Sequence, residues 1–312
     1  MLNFQPLSMG LKTLADSYTF KYGEGSCQHS FVSSWSLRHK YGDSFCEHEG
    51  YLYTLRSKLC NDSERAYLFP FGPREDLDAL RQAVQNVIDD AHGHNCRVKF
   101  QTVTESAKDI ITAMFPGRFT VDFSRNYSEY VYDIEQLFSL SGGKQEVKRR
   151  SLHKFLRRYE GRWESLLIAH EHIDMIRDFQ NRWLEERISG IDDPLHVAQL
   201  RSDDECIQRA LDDFFILGMF GIVMLIDGKI AGYAYGFPLN DDVVEGDAEK
   251  ADRNMLDVYT AVKHEFLGIC RAKFTYFNFE EDLGDEGLRT VKMRDQPAYM
   301  IDKFTLTENE QA

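Results

Sequence analysis

The sequence has few of the features that mark disulfide-stapled, zinc-binding or secreted proteins. Its 312 residues include six cysteines, at positions 27, 46, 60, 96, 206 and 270, with no Cys-x-x-Cys pair. A chain of this size does not need disulfides to fold, and structural zinc sites combine paired half-sites at regular spacing. We therefore expect free, buried thiols in a reducing compartment and no bound metal.

Long apolar segments are also missing. The longest apolar run, residues 214–226, contains two glycines and is shorter than the ~20 residues that cross a bilayer. The N-terminal residues show no basic segment followed by an apolar stretch, as a secretory signal would. These absences predict a cytoplasmic protein without membrane insertion.

Positive charge is scarce, since 37 Lys and Arg face 51 Asp and Glu, for a net charge of −14. Such a balance repels polyanions and argues against general binding of nucleic acid or anionic membranes. Residues 144–162 are an exception, with eight cations and two glutamates. A helix there would place Leu152, Phe155 and Tyr159 on one face and cations on the other. The cationic face is either simply solvated or a binding surface for phosphates.

The length predicts about two domains, and 43% hydrophobic residues are sufficient for two cores. Helical and strand patterns alternate in the N-terminal part, where residues 74–95 form a clear amphipathic helix with Leu77 and Leu80 on its apolar face. The pattern restarts near residue 134, and Asp227-Gly228 predicts a hairpin. We expect an α/β protein with domains at residues 1–133 and 134–312.

Two acidic or mixed-charge segments are candidates for chemistry. Residues 240–252 contain six acids and one lysine. If this segment is a strand, Glu245, Asp247 and Glu249 should share one face, where they would hold a cationic amine or accept a proton. The spacing does not match a calcium-binding loop.

The second segment is "NFEEDLGDEGLRTVKMRDQP", residues 278–297. Gly284 favours a turn with positive φ, and Leu288 and Val291 are spaced to anchor a helical turn in the core. Arg289 and Lys292 would then project together. Three acids precede this turn at the end of an aromatic strand, where sites in α/β folds are common: Glu280, Glu281 and Asp282.

The segments "VKRRSLHKF", "AEKAD", "NFEEDLGDEGLRTVKMRDQP" and "YMIDKF", in this order and spacing, resemble the C-terminal catalytic domain of phosphatidylglycerol lysyltransferases, and most of all its stand-alone soluble relatives. The resemblance extends over nearly the whole chain. It implies a tandem of two GNAT-like acyltransferase domains, each a mixed sheet flanked by helices, with the active site in the second. In the lysyltransferases the donor is an aminoacyl-tRNA ester and the acceptor a lipid hydroxyl.

The resemblance also implies roles for individual residues. An acid would bind the α-ammonium of the donor or act as base, while a cation would stabilise the oxyanion of the tetrahedral intermediate. The implied catalytic residues are Asp282, Glu249 and Lys292. The implied substrate-binding residues are Lys250, Arg289 and Glu281, with Lys148, Arg149 and Arg150 on the phosphates of the donor. No cofactor and no metal is implied.

The chain departs from the family pattern near the implied site. Asp247 stands where a histidine is expected, Lys263 lies in a helix that usually reads Ile-Asn-Gln-Glu-Phe, Phe279 replaces a common arginine, and Asp295-Gln296 replaces a Tyr-containing pair. The segment before that helix, "KADRNMLD", lacks the glycines with which acetyltransferases cradle the diphosphate of coenzyme A.

Three functions remain open on this basis. The leading hypothesis is transfer of an aminoacyl group from charged tRNA to an amine or hydroxyl of a small-molecule or peptide acceptor. The second is acyl-CoA-dependent N-acyl transfer on the same fold. The third is a catalytically inactive binding module. The sequence predicts neither the acceptor nor the oligomeric state.

Overall fold

The computed structural model describes residues 1–310, which form eleven α-helices and fourteen strands. Within this range, no helix is both long and apolar enough to cross a membrane. The helices are α1 (Lys12–Tyr22), α2 (Phe31–Ser36), α3 (Arg38–Tyr41), α4 (Leu77–Gly93), α5 (Glu105–Met114), α6 (Ile134–Ser139), α7 (Glu146–Arg158), α8 (Ile173–Ile188), α9 (Pro194–Asp212), α10 (Val258–Cys270) and α11 (Glu286–Arg294).

The strands form two mixed sheets. They are β1 (Gln5–Pro6), β2 (Asp43–His48), β3 (Tyr51–Arg56), β4 (Glu64–Tyr67), β5 (Arg97–Thr104), β6 (Phe119–Phe123), β7 (Glu129–Asp133), β8 (Trp163–Leu167), β9 (Phe220–Ile226), β10 (Lys229–Pro238), β11 (Val243–Ala251), β12 (Tyr276–Asn278), β13 (Tyr299–Ile301) and β14 (Lys303–Glu308). The first sheet has the order β1-β2-β3-β4-β5-β14-β6. From β7 onward, the second has the order β7-β12-β11-β10-β9-β8.

Each sheet has a parallel pair at its centre, β4–β5 in the first and β11–β12 in the second. The pairings β3–β4 and β5–β14 on either side of the first pair are antiparallel, as are β10–β11 and β12–β7 beside the second. Helices flank both sheets. These features confirm the expected α/β class with two mixed sheets flanked by helices.

The chain divides into two compact units that do not follow one cut in the sequence. The first unit comprises residues 1–130, 281–289 and 299–312, and the second comprises residues 131–280 and 290–298. In the first unit, the C-terminal strand β14 lies between β5 and β6 and pairs antiparallel with both. The expected boundary between residues 133 and 134 therefore assigns residues 281–289 and 299–312 to the second domain, whereas both segments belong to the first compact unit.

The core of the first unit forms where α4 and α5 cover one face of its sheet. The Asp76 side chain accepts hydrogen bonds from the N–H groups of Asp78 and Ala79, which caps the start of α4. Leu80 is fully buried against the sheet residues of this core, whereas Leu77 is 60% exposed. The amphipathic pattern thus predicted the helix correctly but extended its buried face one turn too far.

In the second unit, Asp227 and Gly228 form the predicted hairpin between β9 and β10, with φ angles of 52° and 71°. This geometry matches a turn in which both central residues have positive φ. Helix α10 packs closely on β10 at Gly232, where an added Cβ would lie 2.8 Å from Cγ2 of Val262. The close approach fixes α10 against the central strands.

Candidate active site

The acidic segment, for which the sequence left a strand or a loop open, forms strand β11, and this strand contains a bulge at its centre. Its pairing with β10 matches Gly246 to Gly236 and Ala248 to Tyr235, so Asp247 is an extra residue with no partner of its own. Glu245 pairs with Phe237 and Glu249 with Ala234. Because these β10 partners are three residues apart, the two glutamates lie on opposite faces of the sheet. The expectation that Glu245, Asp247 and Glu249 share one face is therefore wrong, and the bulge is the reason.

Beyond the bulge, β11 separates from its parallel neighbour. β12 pairs only with Val243, Val244 and Glu245, while β11 continues to Ala251. Over residues 246–251, one edge of β11 is therefore not paired with β12. A gap of this kind at the centre of a sheet gives a ligand access to backbone N–H and C=O groups and to side chains on both faces.

Asp247 and Lys250 form the first group of ionisable residues at this gap. Burial raises the pKa of Asp247 to about 6, against the influence of Tyr235 and Lys250. Burial lowers the pKa of Lys250, although nearby carboxylates, Asp203 first among them, oppose the shift. The Lys250 ammonium lies 4.8 Å from the centre of the Trp183 ring on α8. Shifted pKa values in opposite directions are typical of functional sites.

Glu249 belongs to a second group, together with cations of α7 and α10. Burial raises its pKa, and Lys263, Lys148 and Lys250 act in the opposite direction. Lys148 Nζ donates to Asp295 Oδ1 at 2.5 Å, and Lys263 Nζ lies 3.8 Å from Asp295 Oδ2. Burial, followed by repulsion from Lys263, lowers the pKa of Lys148. This group combines a buried carboxylate that is easily protonated with two ammonium groups.

An aspartate stands directly before α10, which follows β11. Asp257 is in the left-handed conformation, with φ of 69°. Its Oδ1 accepts from Ser151 Oγ at 2.7 Å, and its Oδ2 accepts from Arg158 Nη1 at 3.0 Å, both from α7. The carboxylate beside the start of α10 is thus bound to the basic helix and makes no side-chain hydrogen bond to the N–H groups of α10.

Lys292 is the buried residue of α11. It is 4% exposed, its Nζ donates to the Phe279 carbonyl at 2.5 Å, and it lies 5.0 Å from the centre of the Phe279 ring. Leu288 and Val291, which were expected in the core, are 40% and 41% exposed. The apolar spacing was misleading because α11 turns a lysine inward, and the Phe279 carbonyl accepts a hydrogen bond from its ammonium.

Asp282 and Arg289 lie together in the first unit. Burial opposes ionisation of Asp282, yet donors from Arg289, Tyr130 and the Gly284 N–H hold its pKa well below the usual range. Arg289 Nη2 donates to Asp282 Oδ1 at 2.8 Å and also to Asn126 Oδ1 at 2.8 Å. Gly284 has φ of 86°, as predicted for this turn. Asp282 is therefore a firmly ionised carboxylate with its oxygens engaged.

Glu281 is also in the first unit and belongs to a buried ionic cluster. Lys303 Nζ lies 2.8 Å from Glu129 Oε1 and also pairs with Glu281. Burial acts against the charge of Lys303, but the two glutamates raise its pKa well above the usual range. Ligand atoms of Cys27, Glu129 and Glu281 lie within 4.8 Å of one another, a spacing that suits a metal ion. The ammonium of Lys303 supplies positive charge at this place.

The three cations predicted to contact phosphates have different environments. Lys148 is half-buried on Asp295, and Arg149 donates to the Leu140 carbonyl at 2.5 Å. Arg150 is exposed and pairs with Glu146 one turn earlier. Further exposed cations extend the basic face of α7: Lys154, Arg157 and Arg158.

The predicted site residues thus form separate groups. The second unit contains Glu249, Lys250, Lys292 and the basic helix, and the first contains Glu281, Asp282 and Arg289. Asp257 was not predicted from the sequence, because its partners Ser151 and Arg158 lie about a hundred residues away on α7. Trp183 was not predicted either, because a tryptophan in an amphipathic helix has no local feature that links it to a lysine on a distant strand.

The fold defines an α/β protein with two mixed sheets flanked by helices, and comparison with known proteins identifies its family. Residues 20–307 match the family model "Phosphatidylglycerol lysyltransferase, C-terminal". The chain belongs to this family. A search of curated proteins found no match.

Two solved structures illustrate the similarity. A conserved protein of unknown function from Bacteroides thetaiotaomicron VPI-5482 is 24% identical, with a TM-score of 0.89, over 99% of this chain and 100% of that one. L-PGS from Bacillus licheniformis is 13% identical, with a TM-score of 0.64, over 96% of this chain and 92% of that one. At these identities the likeness shows a shared fold.

Proposed function

We propose that the protein is an acyltransferase that moves an aminoacyl group from charged tRNA to an amine or hydroxyl acceptor. The choice of donor rests on Asp257 at the N-terminus of α10. A coenzyme A diphosphate bound there, as in ordinary acetyltransferases, would meet this carboxylate at close range. Arg158 and Ser151 already neutralise and orient it. The exposed cations of α7 offer an alternative surface for the phosphates of a tRNA.

Glu249 is the proposed general base. Its raised pKa makes it a better proton acceptor than an ordinary surface carboxylate. Tyr259 Oη donates to the Glu249 carbonyl at 2.7 Å, which fixes the backbone at this point of β11. In the reaction, Glu249 takes the proton of the acceptor as its nitrogen or oxygen attacks the ester carbonyl. The C–O bond to the tRNA ribose then breaks, and the departing ribose oxygen receives the proton that Glu249 had accepted.

Lys292 is the proposed partner of the oxyanion that forms at the ester carbonyl. Its ammonium is buried, and a charge held away from water stabilises a developing negative charge more strongly. Lys250 follows Glu249 on the other face of β11 and is proposed to bind the substrate there, beside Asp247. Asp247 is placed to bind the α-ammonium of the aminoacyl group, since a cation beside it would favour its ionised form. Asp282 is proposed to hold Arg289 and the turn at residues 281–289, as its engaged oxygens suit a positioning role.

A binding assay with three ligands tests the choice of donor. We expect charged tRNA to bind the purified protein with an affinity that falls steeply with salt, and acetyl-CoA not to bind. Saturable binding of acetyl-CoA, without binding of tRNA, would overturn the proposed donor and favour acyl-CoA-dependent transfer. Binding of charged tRNA without any release of the amino acid would favour the inactive binding module.

A further inference from the structure

The first unit contains a polar cavity that the proposed reaction does not use. Its volume is about 520 Å³, within the ordinary range for small-ligand sites. Its walls come from β5, β6 and β14 and from the segments around Gln28 and Tyr41. The charged side chains that line it are four cations, Lys40, Arg56, Lys99 and Lys303, and a single carboxylate, Asp122.

The buried side chain of Arg56 is the main evidence that this cavity binds a ligand. It is 2% exposed, yet its guanidinium is poorly satisfied. Nη1 and Nη2 reach the Gln28 side chain and carbonyl only at 3.4 Å each, and Nε, which has no hydrogen-bond partner among residues 1–310, lies 3.7 Å from Asp43 Oδ1. A buried charge with weak hydrogen bonds is costly, and an incoming acceptor would reduce that cost.

The ring of Tyr41 contacts two cations at this cavity, Arg56 and Lys40. The guanidinium of Arg56 lies 4.3 Å from the centre of the Tyr41 ring, and the Lys40 ammonium lies 5.2 Å from it. Lys99 and Lys303 are already paired, with Glu64 at 3.0 Å and with Glu129 at 2.8 Å. Arg56 is paired more loosely, with Asp43 at 3.7 Å, so Lys40 and Arg56, which both contact the Tyr41 ring, are the cations of the cavity most open to a ligand.

The wall opposite these cations is distorted. The pairing of β14 with β5 contains a bulge, in which Gln101 and Thr102 of β5 lie opposite the single residue Thr305 of β14. Thr102 has φ of 50°, which is rare for a β-branched residue. Its carbonyl is held by His29 Nε2 at 2.8 Å. Strained backbone beside a cavity is common at ligand sites, and Gln101 and Thr102 both line this cavity.

We propose that this cavity binds a small molecule that carries a phosphate group, through Arg56 and Lys40. A guanidinium fork suits two oxygens of one phosphate, and a nearby ammonium adds a point charge. The Gln101, Thr102 and Thr305 side chains suit hydroxyls on the rest of the ligand. This site is independent of the proposed aminoacyl transfer, since none of its residues has a role there.

Isothermal titration of the full-length protein with inorganic phosphate and with glycerol 3-phosphate, at constant ionic strength, tests the proposal. We expect saturable binding of glycerol 3-phosphate, tighter than that of phosphate because its hydroxyls add hydrogen bonds. Lys40→Gln, on the rim of the cavity, should weaken binding about fivefold or more. Lys229→Gln, which removes one exposed cation from a hairpin of the other unit, is the matched control and should have no effect.

Arg56→Lys keeps the charge but loses the fork, and we expect it to weaken binding about tenfold. If this buried substitution prevents folding, the comparison of Lys40→Gln with Lys229→Gln still tests whether the cavity binds the ligand. The proposal is overturned if neither ligand binds saturably at concentrations up to about 10 mM, or if Lys40→Gln and Lys229→Gln weaken binding equally.

Discussion

Asp282 and Arg289 form a two-pronged ion pair, with Arg289 Nε 2.9 Å from Asp282 Oδ2 and Nη2 2.8 Å from Oδ1. The Asp282 side chain is fully buried, whereas that of Arg289 is 25% exposed. Other acids of the segment 278–297 pair with cations outside it, Glu281 with Lys303 and Asp295 with Lys148. Much of the dense charge that the sequence shows there holds the turn together.

Asp282→Asn should destabilise the protein by about 3 kcal/mol, because it removes the buried carboxylate that Arg289 pairs with and leaves that arginine only the exposed Glu286 as an ionic partner. Thermal or urea unfolding measures this loss. Asp285→Asn, one turn before the same arginine but exposed, is the control and should cost little. Equal stability of Asp282→Asn and the unchanged protein would contradict the structural role of the pair.

The same pair makes stability depend on pH. Because the folded state holds the pKa of Asp282 below that of the unfolded chain, the pair contributes its full stability above about pH 4 and loses it as the pH falls further. Unfolding curves from pH 6 down to pH 2 should show the difference between the unchanged protein and Asp282→Asn shrinking. A difference that stays constant over this range would contradict the assignment.

Asp247→Asn should stabilise the protein. Burial raises the pKa of Asp247 to about 6. Above that pH, the carboxylate is ionised in both the folded and the unfolded protein, and its burial lowers the free energy of unfolding. The penalty disappears below about pH 4, where both states are protonated. We expect a gain of about 2 kcal/mol at pH 7.5 that vanishes near pH 4. Destabilisation at pH 7.5 would show that the carboxylate is well satisfied in the fold.

The basic face of α7 predicts how tRNA binding depends on salt. The double variant Arg150→Gln, Lys154→Gln should weaken binding and reduce the slope of log K against log salt by about 1.5, because each phosphate contact contributes less than one unit. Arg182→Gln, Arg201→Gln removes two exposed cations from α8 and α9 and is the control. An unchanged slope in the α7 variant would place the tRNA elsewhere.

The position of β14 predicts the effect of a truncation. Deletion of residues 303–312 removes the strand that joins β6 to the rest of the first sheet, including the fully buried Leu306. We expect the first unit to lose its cooperative unfolding transition and become sensitive to proteolysis, since β6 loses the strand it pairs with and β5 becomes an exposed edge. A truncated protein that unfolds like the full chain would contradict the sheet order.

Local patterns in the sequence predicted local structure well. The hairpin at Asp227-Gly228, the helix α4 and the positive φ of Gly284 follow from residue types whose backbone preferences act within a few positions. The resemblance added the tandem arrangement, which no single pattern shows. The family and the fold class therefore could be inferred before the structure.

Features that depend on distant pairing could not be inferred. The bulge at Asp247 is set by the register between β10 and β11, and one extra residue reverses the face of every side chain that follows. Insertion of β14 into the first sheet joins segments that are about two hundred residues apart. The burial of Lys292 in place of Leu288 and Val291 depends on the Phe279 carbonyl, which the spacing of apolar residues does not reveal.

The most direct test of the proposed function is release of a radiolabelled amino acid from charged tRNA, or its transfer to an amine acceptor, at enzyme excess. The unchanged protein and the control Glu186→Gln, which alters an exposed glutamate of α8, should react at similar rates. Glu249→Gln should slow the reaction by roughly 100-fold or more with little change in melting temperature. In the unchanged protein, the rate should rise with pH as Glu249 ionises. A Glu249→Gln variant that reacts as fast as the unchanged protein would contradict the proposal that Glu249 is the base.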